Sequence, residues 1–163
     1  MPGQNKSPFV VQVLTTEYFI EGTVAANTPL MFPIPEPERE TWNPIVLTAA
    51  RIKVVGHADL PDRSVPTIEV GGNGVVAVIP RTDVTQLANY NNWKIWNQPR
   101  AGIYQVGPYL MQGKLMSRGN SIEAALPMVD VYITHMLPES GLGEISAPYL
   151  LVNTTWLSGY LPA

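Results

Sequence analysis

The chain of 163 residues carries 10 Lys and Arg against 13 Asp and Glu, a net charge of −3, and has no cysteine. This composition excludes disulfides, thiolate catalysis and cysteine-ligated zinc, and the acidic balance argues against a nonspecific nucleic-acid binder, which needs a basic face. Charged residues make up only 14% and hydrophobic ones 45%, which points to a chain with a packed core that covers much of its surface in an oligomer or larger assembly.

Residues 1–7 are polar and read as a tail. Residues 9–14 and 18–24 alternate and are β-branched, which predicts two strands joined by a tight turn at Thr15-Thr16-Glu17. Gly22 sits inside the second strand, where a glycine marks a bend, a bulge or a close backbone approach. Residues 27–44 hold five prolines and read as a long extended loop, apolar in Leu30-Met31-Phe32-Pro33-Ile34 and acidic from Glu36 to Glu40. The loop either folds back on its own module or serves as an arm that docks on a neighbour. A long third strand is predicted over 45–55, a turn-rich loop over 56–64, and short strands over 67–70 and 75–79. Between those two short strands, Gly71-Gly72-Asn73-Gly74 is expected to supply positive-φ positions for a tight connection.

A short helix is predicted over 83–90, capped by Thr82 or Asp83 with Val84, Leu87 and Ala88 on its apolar face. Trp93 and Trp96 follow in a segment read as an inter-domain strap. The second half then repeats the first, with strands over 102–106, 109–116, 124–135, 149–152 and 156–161. Its Tyr109-Leu110-Met111-Gln112-Gly113-Lys114-Leu115 echoes Tyr18-Phe19-Ile20-Glu21-Gly22-Thr23-Val24 about ninety residues earlier. Asn153-Thr154-Thr155 takes the place of the Gly-rich turn, so the chain reads as one β-module used twice. The domain reading is a tail (1–7), a first module (8–82) carrying the insertion 27–44, a linker (83–100) and a second module (101–163).

Five strands, a second strand bent at glycine, a long third strand and a final short pair resemble the Sm-like family of small β-barrels. The first Sm motif is similar to Val11-Gln12-Val13-Leu14, Tyr18 to Val24, and Asn43-Pro44-Ile45-Val46-Leu47-Thr48-Ala49-Ala50; the second is similar to residues 68–80. The resemblance implies an all-β chain of two tandem five-stranded barrels with a short connecting helix. It also implies ring assembly by pairing of the fourth and fifth strand edges between neighbours. The aromatic and arginine residues of the family's RNA pocket are missing, and Asn43 is the one remnant.

The function expected from these features is a non-enzymatic, oligomeric scaffold, with a trimer of two-barrel chains forming a six-barrel ring. Its protein-interface residues are expected to be Leu30, Met31, Phe32, Ile34, Trp42, Val76, Val78 and Trp156, and the proline-rich arm is a candidate contact for a protein partner. The alternative is single-stranded nucleic-acid binding through Asn43, Asn73, Arg51, Lys53, Arg118 and Asn153, with Lys94, Arg100 and Lys114 as further phosphate contacts. His57 with Asp59 and Asp62 has the composition of a metal site or a small hydrolase centre, but a polar loop of this kind is ordinarily a solvated one. No nucleophile motif accompanies it, and no catalytic residue, metal or cofactor is assigned. No apolar run is long enough to span a bilayer and residues 1–6 lack a signal-peptide core, so a cytoplasmic chain without membrane contact is expected.

Overall fold

The computed structural model describes residues 7–26, 44–81, 98–117 and 125–162. Ten strands follow one another along the chain: β1 (Ser7–Thr15), β2 (Tyr18–Ala26), β3 (Ile45–Val54), β4 (Arg63–Val70), β5 (Val75–Pro80), β6 (Gln98–Val106), β7 (Tyr109–Ser117), β8 (Ala125–His135), β9 (Ile145–Asn153) and β10 (Leu157–Pro162). They form one antiparallel sheet in the order β10-β6-β7-β8-β9-β5-β1-β2-β3-β4. The protein is all-β, and the described residues contain no α-helix. The helix expected over 83–90, the tryptophan strap and the proline-rich insertion lie outside the described residues.

The order contains the repeat. In each half the fifth strand pairs with the first and the chain then meanders through the second, third and fourth, so β5-β1-β2-β3-β4 is matched by β10-β6-β7-β8-β9. Register agrees in detail. Val11 faces Gly22 in the first half, and Gly102 faces Gly113 in the second. The β2–β3 ladder slips between Glu21 and Thr23, and the β7–β8 ladder slips at the matching place between Gln112 and Lys114. Each slip leaves one non-glycine residue at positive φ, Ala49 at 49° and Asp130 at 53°, a conformation that costs an L-residue roughly 1 kcal/mol or more. Its recurrence marks a built-in bulge, which sharpens strand twist and curls a sheet.

Two further residue types serve that bulge. A Cβ on Gly22 would lie 2.9 Å from Leu47 Cβ, and one on Gly113 would lie 3.0 Å from the carbonyl oxygens of Val129 and Asp130. Both glycines are therefore needed for the close approach of the third strand, as the sequence suggests. Pro66 and Pro148 fall in the one gap of each fourth-strand ladder, between Thr67 and Val65 and between Tyr149 and Ala147. A residue opposite a bulge donates no ladder hydrogen bond, so proline is tolerated there.

The turns are less alike. Thr15 closes the β1–β2 turn with its side chain, Oγ1 accepting from the N–H of Tyr18 at 2.8 Å and of Glu17 at 3.3 Å. The β6–β7 turn instead uses Gly107 at φ 56° followed by Pro108. The expectation of positive φ in Gly71-Gly72-Asn73-Gly74 is corrected. Gly71 is extended at φ −61°, residues Gly72–Gly74 form a 3₁₀ turn, and the positive-φ glycines of the described chain are Gly56, Gly107 and Gly141. A second 3₁₀ turn, Thr154–Trp156, occupies the matching place before β10.

Two cores result. Val11, Val13, Ile20, Ile45 and Leu47 lead the first, and Tyr104, Val106, Tyr109, Met111 and Met128 lead the second. The strands β5 and β9, which lie side by side at the centre of the sheet, contribute to both. Val75 and Val78 enter the first core and Val76, Ala77 and Ile79 the second; Tyr149 and Leu151 enter the first and Ala147, Leu150 and Val152 the second.

Candidate assembly interface

The joint between the halves is the β5–β9 seam, with Ala77 opposite Val152 and Val78 opposite Leu151. All six residues of β5 are buried, the pattern of a strand covered on both faces. Side chains reinforce the pairing from both ends. The buried Tyr109 Oη donates to the carbonyl of Thr15 at 2.8 Å. Burial alone pushes the Tyr109 hydroxyl well above its ordinary pKa, so it stays a donor. His135 supports it, meeting the Tyr109 ring edge-on at 5.1 Å between centroids.

Asn153, itself buried, donates Nδ2 to the carbonyl of Val75 at 2.8 Å and accepts at Oδ1 from the N–H of Thr155 at 3.1 Å. Trp156 Nε1 donates to the carbonyl of Asn73 at 3.2 Å. At the far end Arg81 donates from Nη1 to the carbonyl of Ser146 at 3.1 Å and from Nε to Gln12 Oε1 at 2.7 Å. Desolvation draws the Arg81 pKa down and the nearby Glu21 carboxylate opposes it; the guanidinium remains charged. Gly56 N–H donates to the carbonyl of Ser140 at 2.8 Å, joining the loops that follow β3 and β8.

The ends of the sheet carry the same two strand types with nothing beside them among the described residues. On β4, the counterpart of β9, only Val70 is buried; on β10, the counterpart of β5, no residue is. Thr15, Tyr18, Ile20, Ile68, Glu69, Val70 and Gly71 line a cleft of about 390 Å³ beside β4. Tyr18 occupies there the position that Tyr109 holds at the seam. It is 40% exposed, against 0% for Tyr109.

The expected site residues fall into three groups. Val76 and Val78 lie fully buried at the seam, Val76 in the second core and Val78 in the first, and Trp156 is half-buried in the turn before β10. Leu30, Met31, Phe32, Ile34 and Trp42 lie outside the described residues, as do Asn43, Lys94 and Arg118. Of the expected nucleic-acid contacts, Asn153 uses its amide within the seam and Asn73 offers its carbonyl to Trp156. Arg51 and Lys53 line a shallow cleft with Phe19, Glu21 and Asp62, where carboxylates offset the two cations. Arg100 and Lys114 are exposed on β6 and β7, apart from that cleft. His57, Asp59 and Asp62 are exposed in the loop after β3, and no group of three metal-ligating side chains gathers among the described residues. No described helix is long and apolar enough to cross a membrane.

Sequence reasoning missed Ile68, Glu69 and Tyr160 on the end strands and Tyr18 in the cleft beside β4. Their signal was comparative: Glu69 stands where β9 has Leu151, and Tyr160 where β5 has Val78. No protein-family model matches the chain, and no curated protein or solved structure matches it.

Proposed function

We propose that this chain is a non-enzymatic assembly protein, built of two tandem Sm-like barrels, that oligomerises through its strand edges. One observation carries the reading. The strand types that pair at the centre of the sheet recur at its two ends without a partner among the described residues. An exposed strand edge is a template for another chain. Two such edges on opposite ends of one molecule are a heterologous pair, and repetition of a heterologous contact closes into a ring when the rotation per unit allows. Three chains would place six modules in that ring, with each β4–β10 contact between chains repeating the β5–β9 contact within one. The proline-rich segment 27–44 is a further candidate contact to a neighbour. Light scattering coupled to size exclusion tests the reading: the mass per particle is a multiple of the 17.9 kDa chain, whereas a monomer across the micromolar range contradicts it.

A further inference from the structure

Resting on that reading, we infer that chains join in one direction and one register. The β4 edge of one copy lies antiparallel to β10 of the next, Val70 opposite Gly159 and Glu69 opposite Tyr160, with Tyr18 of the first copy hydrogen-bonded to the Val106 carbonyl of the second. The occupant of the cleft beside β4 is thus a second copy of this chain, and the seam is the template.

The register follows from the repeat. Gly159 and Tyr160 pair with Gln105 and Tyr104 on β6, as Ala77 and Val78 pair with Leu14 and Val13 on β1. Both ladders skip one residue at the same place, Val76 in β5 and Ser158 in β10. On the opposing side, Glu69 and Val70 pair with Val46 and Ile45 on β3, as Leu151 and Val152 pair with Pro127 and Leu126 on β8. The seam pairs Ala77↔Val152 and Val78↔Leu151 therefore become Gly159↔Val70 and Tyr160↔Glu69 between copies. The same mapping turns the Tyr109 bond to the Thr15 carbonyl into a Tyr18 bond to the Val106 carbonyl. An exposed tyrosine at the mouth of an apolar cleft is then a hook awaiting its acceptor.

The chemistry of the two edges sets the direction. Glu69 supplies a carboxylate acceptor. Tyr160, stacked on Tyr104 with centroids 4.8 Å apart, supplies a hydroxyl whose bond to the Ala101 carbonyl is long at 3.4 Å. Hydroxyl to carboxylate is a complementary pair at facing cross-strand positions. Two β4 edges meeting at the same point would bring Glu69 against Glu69, which like charge disfavours. Two β10 edges would leave both tyrosines without the carboxylate.

The chain has no cysteine, so disulfide trapping reads this directly. Single variants Glu69→Cys and Tyr160→Cys, both at exposed positions, are mixed, oxidised and run without reductant. The expected result is a covalent dimer in the mixture and none in either variant alone, with lower yield when Ser158→Cys or Pro162→Cys replaces Tyr160→Cys. Self-linking of one variant, or a higher yield in a shifted register, overturns the inference while leaving an oligomer in place. Particles that are multimeric by light scattering yet never cross-link overturn it as well, and a monomer removes both this inference and the reading beneath it. Tyr18→Phe provides an independent measurement in unmodified edges. It raises the dissociation constant of the assembly about tenfold, the loss of one buried hydrogen bond, and an unchanged constant overturns the hook.

Discussion

Strands β5 and β10 hold the same place in each half, yet their side chains have little in common. Val75-Val76-Ala77-Val78-Ile79-Pro80 is buried throughout, whereas Leu157-Ser158-Gly159-Tyr160-Leu161-Pro162 has no buried residue. The partners differ in the same way, Leu151 at the seam against Glu69 at the edge. Strand composition here reports what lies on each face of the strand, while topology and register come from glycine, proline and bulge positions that both halves share. The seam is closed by apolar packing, whereas the two end strands of the same topology present polar, exposed side chains.

The largest test of that separation is a charge in the seam. Leu151→Asp places an unpaired carboxylate inside the first core, and urea titration is expected to show a loss of more than about 4 kcal/mol, enough to unfold the chain. The matching edge change, Glu69→Gln, moves monomer stability by less than about 0.5 kcal/mol. Equal effects at the two sites would remove the distinction between joint and edge.

A smaller effect belongs to Asn153→Ala, which leaves the buried carbonyl of Val75 without its donor and costs about 1–3 kcal/mol. The counterpart of Asn153 is Gly71, extended and with open space where a Cβ would go. Gly71→Ala is therefore neutral or stabilising by up to about 1 kcal/mol. Denaturation midpoints of the two variants check the pair, and comparable losses would show that the asparagine is no seam clamp.

The third effect is pH-dependent. Burial holds the Tyr109 hydroxyl above its ordinary pKa, and Tyr104 is pushed up to about 12 by burial, with Tyr160 adding to the rise. In the unfolded chain both ionise near pH 10. Above that pH the folded chain holds more protons than the unfolded one, so stability is full below pH 10 and falls as pH rises through and beyond it. Tyr109→Phe loses about 1 kcal/mol at neutral pH and shows a shallower alkaline fall than the unaltered chain. Tyr18→Phe, at an exposed position, leaves the neutral-pH stability of the monomer within about 0.5 kcal/mol.

Much of the fold was legible from a few positions. The Tyr18 and Tyr109 echo located both second strands, and Gly22 and Gly113 announced the close approach that the structure gives them. The start of β4 at Arg63 was hidden because residues 56–64 read as a turn-rich loop; an edge strand with a bulge opposite accommodates Ser64 and Pro66. The Gly71 to Gly74 segment suggested positive φ, but the 3₁₀ turn there needs none. Least legible was the seam. Local alternation predicts that a strand has two faces, and β5 and β9 show apolar residues on both, but only the three-dimensional adjacency of β5 and β9 says that the second face meets the other half. The place of Glu69 and Tyr160 on the end strands was invisible for the complementary reason. Each is an ordinary exposed residue until set beside its counterpart.

In the proposed assembly, the contact that β5 and β9 make within the chain is repeated by β4 and β10 between chains. Amide hydrogen exchange, followed strand by strand over a range of protein concentrations, tests it most directly. The expected result is protection of β5 and β9 at every concentration, while the outward amides of β4 and β10 gain protection together as concentration rises. Rapid exchange of β4 and β10 at all concentrations, or protection of one without the other, would contradict it.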